Sequence, residues 1–211
     1  MDRSGLGDRG QTQGTLEGTS MPIRVEAYTT GGVVTGVIPH SGTIRDALEG
    51  STNLPIDASR WLPLDGSGER PGGDLVLAVD DLLFVVGDPG SAPVHAQWHD
   101  IELDAGPYRL YGEMPTMPGF DPGRALARPT GEFVLLRDAR LQLIDQPDAG
   151  EATAPEVLVN RYTVDRVVAD LMLGFFFPGA AIVVIGHDGE PIESTGARAV
   201  DTGASPTSAP A

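Results

Sequence analysis

The sequence predicts an all-β protein of two tandem small β-barrel-like units packed together, with disordered N- and C-terminal tails. Three observations predict it. Short runs alternate apolar and polar residues, as in Arg24-Val25-Glu26-Ala27-Tyr28, and Gly- or Pro-bearing turns separate them. One order of landmarks occurs twice along the chain. No segment carries a sustained helical apolar stripe, with 161–173 as the one candidate.

The repeat sets the domain boundaries, 21–88 for the first unit and 94–186 for the second. Each unit opens on alternating residues, Arg24 to Tyr28 in one and Asp100 to Asp104 in the other. Each then places a glycine three residues before a proline, Gly36-Val37-Ile38-Pro39 and Gly112-Glu113-Met114-Pro115. Arg45-Asp46-Ala47-Leu48 answers to Arg124-Ala125-Leu126, and Leu54-Pro55-Ile56 to Phe133-Val134-Leu135-Leu136. Leu64-Asp65 answers to Ile144-Asp145, and Leu77 to Leu82 to the run Val157 to Tyr162. The offset between partners starts at 76 residues and drifts to 80, so few insertions separate the copies.

Within a unit the elements follow in order. Residues 23–29 alternate as a half-buried strand does. Thr30-Gly31-Gly32 supplies the positive φ of a hairpin turn, and 33–38 return. Ala105-Gly106-Pro107 takes the turn role in the second unit. Arg45 to Glu49 is one helical turn or a loop. Two more strands are expected near 61–64 and 75–86, joined by a flexible connection over 65–73. Short strands at close spacing indicate a small barrel or sandwich rather than βαβ units. A unit of about 65 residues has a marginal core alone. The turn-rich junction at 88–93 is short, which favours fixed docking of the two units.

This order of strand, turn, Gly-x-x-Pro strand, short Arg/Asp-Leu segment, Leu-Pro-Leu-Asp and Leu-Ala-Val-Asp-Asp-Leu-Leu-Phe-Val resembles a bacterial family of small domains of unknown function. Those domains are similar to Sm-like or SH3-like small β-barrels. Residues 23–86 carry the resemblance best and 98–168 more loosely. It implies a fold and no established activity; an Sm-like reading implies ring assembly or RNA binding.

Composition bounds the rest. Apolar residues make up 40% of 211, and the shortfall lies at the ends: 1–20 carry only Leu6 and Leu16 as bulky apolar groups beyond Met1. With 187–211 these stretches bury too little to offset ordering entropy, so both are expected to be disordered. There is no cysteine, which excludes disulfides and thiolate metal sites. The N-terminus has no continuous apolar core of a secretory signal, so a cytoplasmic location is expected. All 14 basic residues are arginine, and the formal net charge is −16. An acidic surface repels phosphate backbones, so nucleic acid is a disfavoured partner despite the Sm-like resemblance.

Residues 171–186 are the most hydrophobic stretch and have no counterpart in the first unit. Sixteen residues interrupted by Pro178-Gly179 fall short of the roughly 20 a membrane span needs. Either they form buried strands that complete the core, or Leu171, Leu173, Phe175, Phe176, Phe177 and Ile182 form a contact surface for a second copy, another protein or, less favoured, a membrane surface.

Searching for chemistry yields little. Gly5-Leu6-Gly7-Asp8-Arg9-Gly10 matches a dinucleotide-loop string but follows no strand. A P-loop is excluded because the chain has no lysine. His95 and His99 are too far apart along a strand to share a metal; His40 or His187 would have to complete a site, and His187 lies at the edge of the tail expected to be disordered. Asp80-Asp81 reads as a charge-bearing turn. Arg45 and Arg124 recur at one landmark, where they either contact an anion or cover apolar surface with their stems. No catalytic residue, metal or cofactor is implied. The expected function is a non-catalytic binding or assembly module with a protein partner or self-association. The alternatives are a small-ligand protein or enzyme with its site between the units, and a peripheral membrane protein.

Overall fold

The computed structural model describes residues 22–90, 93–118, 131–169, 171–185 and 191–193. The protein is all-β. Strands β1 (Ile23–Thr29), β2 (Gly32–Ile38), β3 (Asn53–Pro63), β4 (Arg70–Ala78) and β5 (Phe84–Gly87) form the first half, with a helical turn α1 (Ile44–Leu48) between β2 and β3. The second half contains β6 (Gln97–Ala105), β7 (Tyr108–Thr116), β8 (Phe133–Leu143), β9 (Glu151–Asn160) and β10 (Arg166–Ala169). A four-residue helical turn α2 (Leu171–Gly174) and strands β11 (Ala181–Ile185) and β12 (Pro191–Glu193) follow. All twelve strands lie in one open sheet in the order β12-β11-β10-β6-β7-β8-β9-β5-β1-β2-β3-β4. This single open sheet does not confirm the two tandem barrel-like units expected from the sequence; the halves are continuous through the ladder between β5 and β9.

The two halves share a pairing scheme. β1 pairs antiparallel with β2 and β5, as β6 does with β7 and β10. Thr35↔Arg60 and Val37↔Asp57 in the first half have counterparts Tyr111↔Arg140 and Glu113↔Arg137, with the register shift at the same step. The only positive-φ non-glycine residues inside described strands are Ala58 (48°) and Asp138 (50°), at matching points of β3 and β8. Loop hydrogen bonds match as well: Leu83 N–H to Tyr28 O and Asp165 N–H to Asp104 O, both 2.9 and 2.8 Å respectively.

Several boundaries differ from expectation. Leu54-Pro55-Ile56 and 61–63 belong to one strand, β3, because β4 pairs along it from Asn53 to Trp61 and β2 pairs with its later part, Asp57 to Pro63. The connection expected over 65–73 is shorter, since β4 starts at Arg70. Residues 75–86 are broken by a 3-10 turn at Val79–Asp81. The segment 161–173 is a turn, β10 and α2, not an amphipathic helix. Thr35↔Arg60 and Tyr111↔Arg140 make Leu54 and Val134 counterparts, and the pairs Leu54↔Leu77 and Val134↔Val159 then make Val159 the counterpart of Leu77, two residues later than the landmark alignment. Of the expected tails, Pro191–Glu193 form β12 against β11; the rest of 1–20 and 187–211 lies outside the described residues.

Two apolar cores lie on opposite faces of the central strands, and each draws on both halves. Phe133, Leu135, Leu158 and Val85 face one, with Val25, Ile44, Leu54 and Leu82. Val134, Leu136, Val157, Val159 and Phe84 face the other, with Leu103, Leu110 and Phe177. Successive strand residues point to opposite faces, so a strand covered on both sides reads as an unbroken apolar run. This explains Phe133-Val134-Leu135-Leu136, Val157-Leu158-Val159 and Leu83-Phe84-Val85, the three strands at the middle of the sheet. Tyr28 stacks on Phe84 at 4.3 Å, and Tyr108 meets Phe84 edge-on at 5.3 Å, so the halves are welded by an aromatic triplet.

Candidate functional site

The outer face of each half carries a concavity, and the two are made of corresponding residues. In the first half it is bounded by Val25 and Glu26 of β1, Thr35 and Gly36 of β2, and Ala58 and Arg60 of β3, with a volume of about 410 Å³. In the second half Ile101, Glu102, Tyr111, Gly112, Asp138 and Arg140 take those places around about 370 Å³. The bulge of β3 and of β8 bends the strand and opens the hollow. Glycine floors it for a steric reason. A Cβ on Gly36 would sit 2.9 Å from the Asp57 carbonyl oxygen, and one on Gly112 would sit 3.0 Å from that of Arg137. The repeated Gly-x-x-Pro landmark was the sequence signal for these hollows, although composition gave no hint of their shape.

Their charges have diverged. The first holds Arg24 and Arg60 beside Glu26; the second holds Asp100, Glu102, Glu113 and Asp138 beside Arg140. The second hollow's carboxylates are largely engaged. Glu102 accepts from Arg166 at 2.8 Å, and Glu113 is paired with Arg137. Arg140 lies over the Tyr111 ring at 5.1 Å. Next to the hollow, Arg109 donates in bidentate fashion to Asp104 at 2.6 and 2.9 Å, and these bonds push its guanidinium pKa upward. In the first half the Tyr28 hydroxyl donates to Glu26 at 3.1 Å. Burial, then the charge of Glu26, drives the Tyr28 phenol upward from its ordinary value, and burial raises Tyr108 to about 12. These are networks that hold strands together; none leaves a nucleophile beside a base.

The junction between the halves has a cavity of about 300 Å³ lined by Arg45, Pro89, Pro93, Met114, Phe133 and Phe176, among others. Its lining is mainly apolar, so the convergent polar groups expected of an active site between the units are absent from its described walls. Arg45 sits at the rim and is already engaged: it donates to Glu49 at 3.0 Å and, across the junction, to the Phe133 carbonyl at 3.2 Å. It acts as a tie between halves instead of a free anion contact. Arg124 lies outside the described residues. The turn that holds Arg45 is set by a capping box. Thr43 accepts from the Asp46 N–H at 3.2 Å, and Asp46 accepts from the Thr43 N–H at 3.0 Å. Those bonds from Thr43 hold the Asp46 carboxyl below its ordinary value.

The apolar 171–186 segment is mainly internal. Leu173, Phe176 and Phe177 are buried in the second core, and Phe176 also lines the junction cavity. They are buried because β11 returns parallel to β10 and folds α2 beneath it. Phe175 remains 37% exposed, and Ile182 is half-buried against Gly174. Leu171 opens α2. Among the described residues no helix is long and apolar enough to cross a membrane.

Among the described residues no group of three His, Asp or Glu side chains is placed to hold a metal. His99 Nε2 lies 2.8 Å from the Thr116 hydroxyl, and His95 is on the linker into β6. His187 lies outside the described residues. Asp80 and Asp81 are exposed in the 3-10 turn.

The comparisons with known proteins come back empty. No protein-family model, curated protein or solved structure matches the chain.

Proposed function

We propose that this chain is a non-catalytic binding or assembly module, built by duplication of a small β-barrel-like unit and working through its sheet edges. One observation carries the reading. The two halves are joined by strand pairing, Phe84↔Val159, Val85↔Leu158 and Val86↔Val157, and this joint buries Leu158 and Val85 completely or nearly so. A unit of this kind therefore already recognises another of its kind by adding a strand to its sheet. In the second hollow Glu102 and Glu113 are paired with arginines, which suits a rigid scaffold better than acid–base chemistry. Phe175, the exposed phenylalanine of the 171–186 segment, is a minor contributor to contact.

The test is the state of the purified full chain. Light scattering across a micromolar range, together with affinity isolation of the tagged chain from its host, is expected to give a self-complex or a stoichiometric protein complex. A chain that stays monomeric and returns no stoichiometric partner sinks the reading.

A further inference from the structure

β4 is the counterpart of β9. Leu75, Val76 and Leu77 stand where Val157, Leu158 and Val159 stand in the second half, each set against the preceding long strand at matching positions: Ile56, Pro55 and Leu54, and Leu136, Leu135 and Val134. On β9 these three residues receive β5. On β4, the last strand of the sheet, no described strand takes that place. The difference is large: Leu158 is 1% exposed and Val76 is 62% exposed. The first half thus leaves Val76 exposed and Leu75 and Leu77 half-buried where its twin buries all three residues. Natural sheets blunt such edges with charge, proline or glycine. The N-terminal part of β4 does so with Arg70, Pro71, Gly72, Gly73 and Asp74, and the protection stops at Leu75.

We infer that the 75–77 edge of β4 is a docking surface for a second copy of this chain, paired β4 to β4 across a two-fold axis through Val76. This deepens the assembly reading above and rests on it. The choice of occupant follows from what a second copy has to offer. Its β5 is already held by β1 and β9, and its β10, the counterpart of β5, is enclosed between β6 and β11. A head-to-tail copy would first have to strip off β11. The two-fold pairing disturbs nothing, and an isologous contact closes on itself. Its register is favourable: Val76 faces Val76, Leu75 faces Leu77, and Asp74 faces Ala78, so no like charges meet across the ladder. The contact is small, so the dimer is weak and concentration-dependent. The formal charge of −16 per chain opposes it at long range, and added salt strengthens it.

The test exploits the absence of cysteine from the chain. Residues directly opposite in an antiparallel pair have Cα atoms roughly 4.5–5.5 Å apart, within the span of a disulfide. Val76→Cys in the full chain is expected to form a covalent dimer under mild oxidation. Leu62→Cys, 49% exposed at the other end of β3, is the control and stays monomeric. Light scattering of the unmodified chain is expected to show mass rising toward twice the monomer with concentration and salt. Val76→Lys is expected to abolish that rise with an unchanged circular dichroism spectrum. A monomer at every concentration overturns the inference, as does a dimer that survives Val76→Lys, an open series of larger species, or cross-linking no better at 76 than at 62. Retention of a different protein together with a failed cross-link at 76 overturns this inference and leaves the assembly reading standing.

Discussion

Replacing Phe84 with alanine tests whether the two halves are one thermodynamic body. Phe84 is fully buried and lies on β5, the strand that both halves share. Removing a buried phenylalanine side chain costs about 3–5 kcal/mol in transfer and cavity terms. The ring also stacks on Tyr28 and meets Tyr108 edge-on; each such pair adds about 0.5–1.5 kcal/mol, part of it already counted in the burial. A loss of about 4–6 kcal/mol is therefore expected, a large share of the roughly 5–15 kcal/mol that holds a domain folded. With a urea slope of about 2 kcal/mol per molar, the midpoint falls by about 2–3 M. The chain has two tryptophans, Trp61 on β3 of the first half and Trp98 on β6 of the second. Trp98 lies under Arg137 at 3.9 Å and, like Trp61, packs against the core that holds Val25, Leu54 and Phe133, so the two report on one core from a strand of each half. Urea titrations of Trp61→Phe and Trp98→Phe backgrounds then follow that core from β6 and from β3 in turn. Both fluorophores are expected to report one midpoint, and Phe84→Ala to lower both equally. A variant that shifts the Trp61 transition and leaves the Trp98 transition in place would refute the shared-core argument.

Other outcomes follow from local geometry. Gly36→Ala and Gly112→Ala each force a Cβ against a carbonyl of the neighbouring strand, and Gly36 also against the Ile56 side chain. Losses of about 1–3 kcal/mol are expected in chemical denaturation, larger at Gly36. Phe177→Ala is expected to cost about 3–5 kcal/mol, whereas Phe175→Ala, at an exposed site, costs under about 1 kcal/mol; equal losses would contradict the placement of α2. Alkaline stability depends on Tyr28 and Tyr108, whose folded values are raised, Tyr108 to about 12. A raised acid favours the fold below its unfolded value of about 10. That contribution is lost as pH climbs from about 10 through 12, so phenolate absorbance from these residues is expected to appear together with unfolding by circular dichroism.

The hairpins were legible because their signals are local. Alternation in 23–29 and the glycines at 31 and 32 specify β1 and β2 almost to the residue. Gly36 and Gly112 were visible as a repeated landmark for the same reason that they are needed, the close approach of the next strand. The closing strands stand two residues off the landmark alignment because the turn between Leu141 and Ala152 is two residues longer than that between Trp61 and Arg70, and an apolar run such as Val157-Leu158-Val159 has no internal mark of register. The hollows were hidden because their walls come from four strands far apart in sequence. Residues 171–186 were ambiguous in principle: hydrophobicity states that a surface must be covered, and only the fold states by what. Parallel pairing of β11 with β10 supplies that cover from within the chain.

Why one ladder is filled and its twin is open follows from connectivity. β5 reaches β9 inside a single chain, where tethering raises the local concentration of one strand near the other to about millimolar. The same three-residue ladder offered by β4 has no tethered donor, because the chain's second copy of the β5 strand, Arg166-Val167-Val168, is given to β11. The apolar residues that dock at about millimolar effective concentration in cis are left to dock at free concentration in trans. Among the described residues the 75–77 edge of β4 is therefore the ladder left without a partner, and Val76 at its centre is where association through that edge must register.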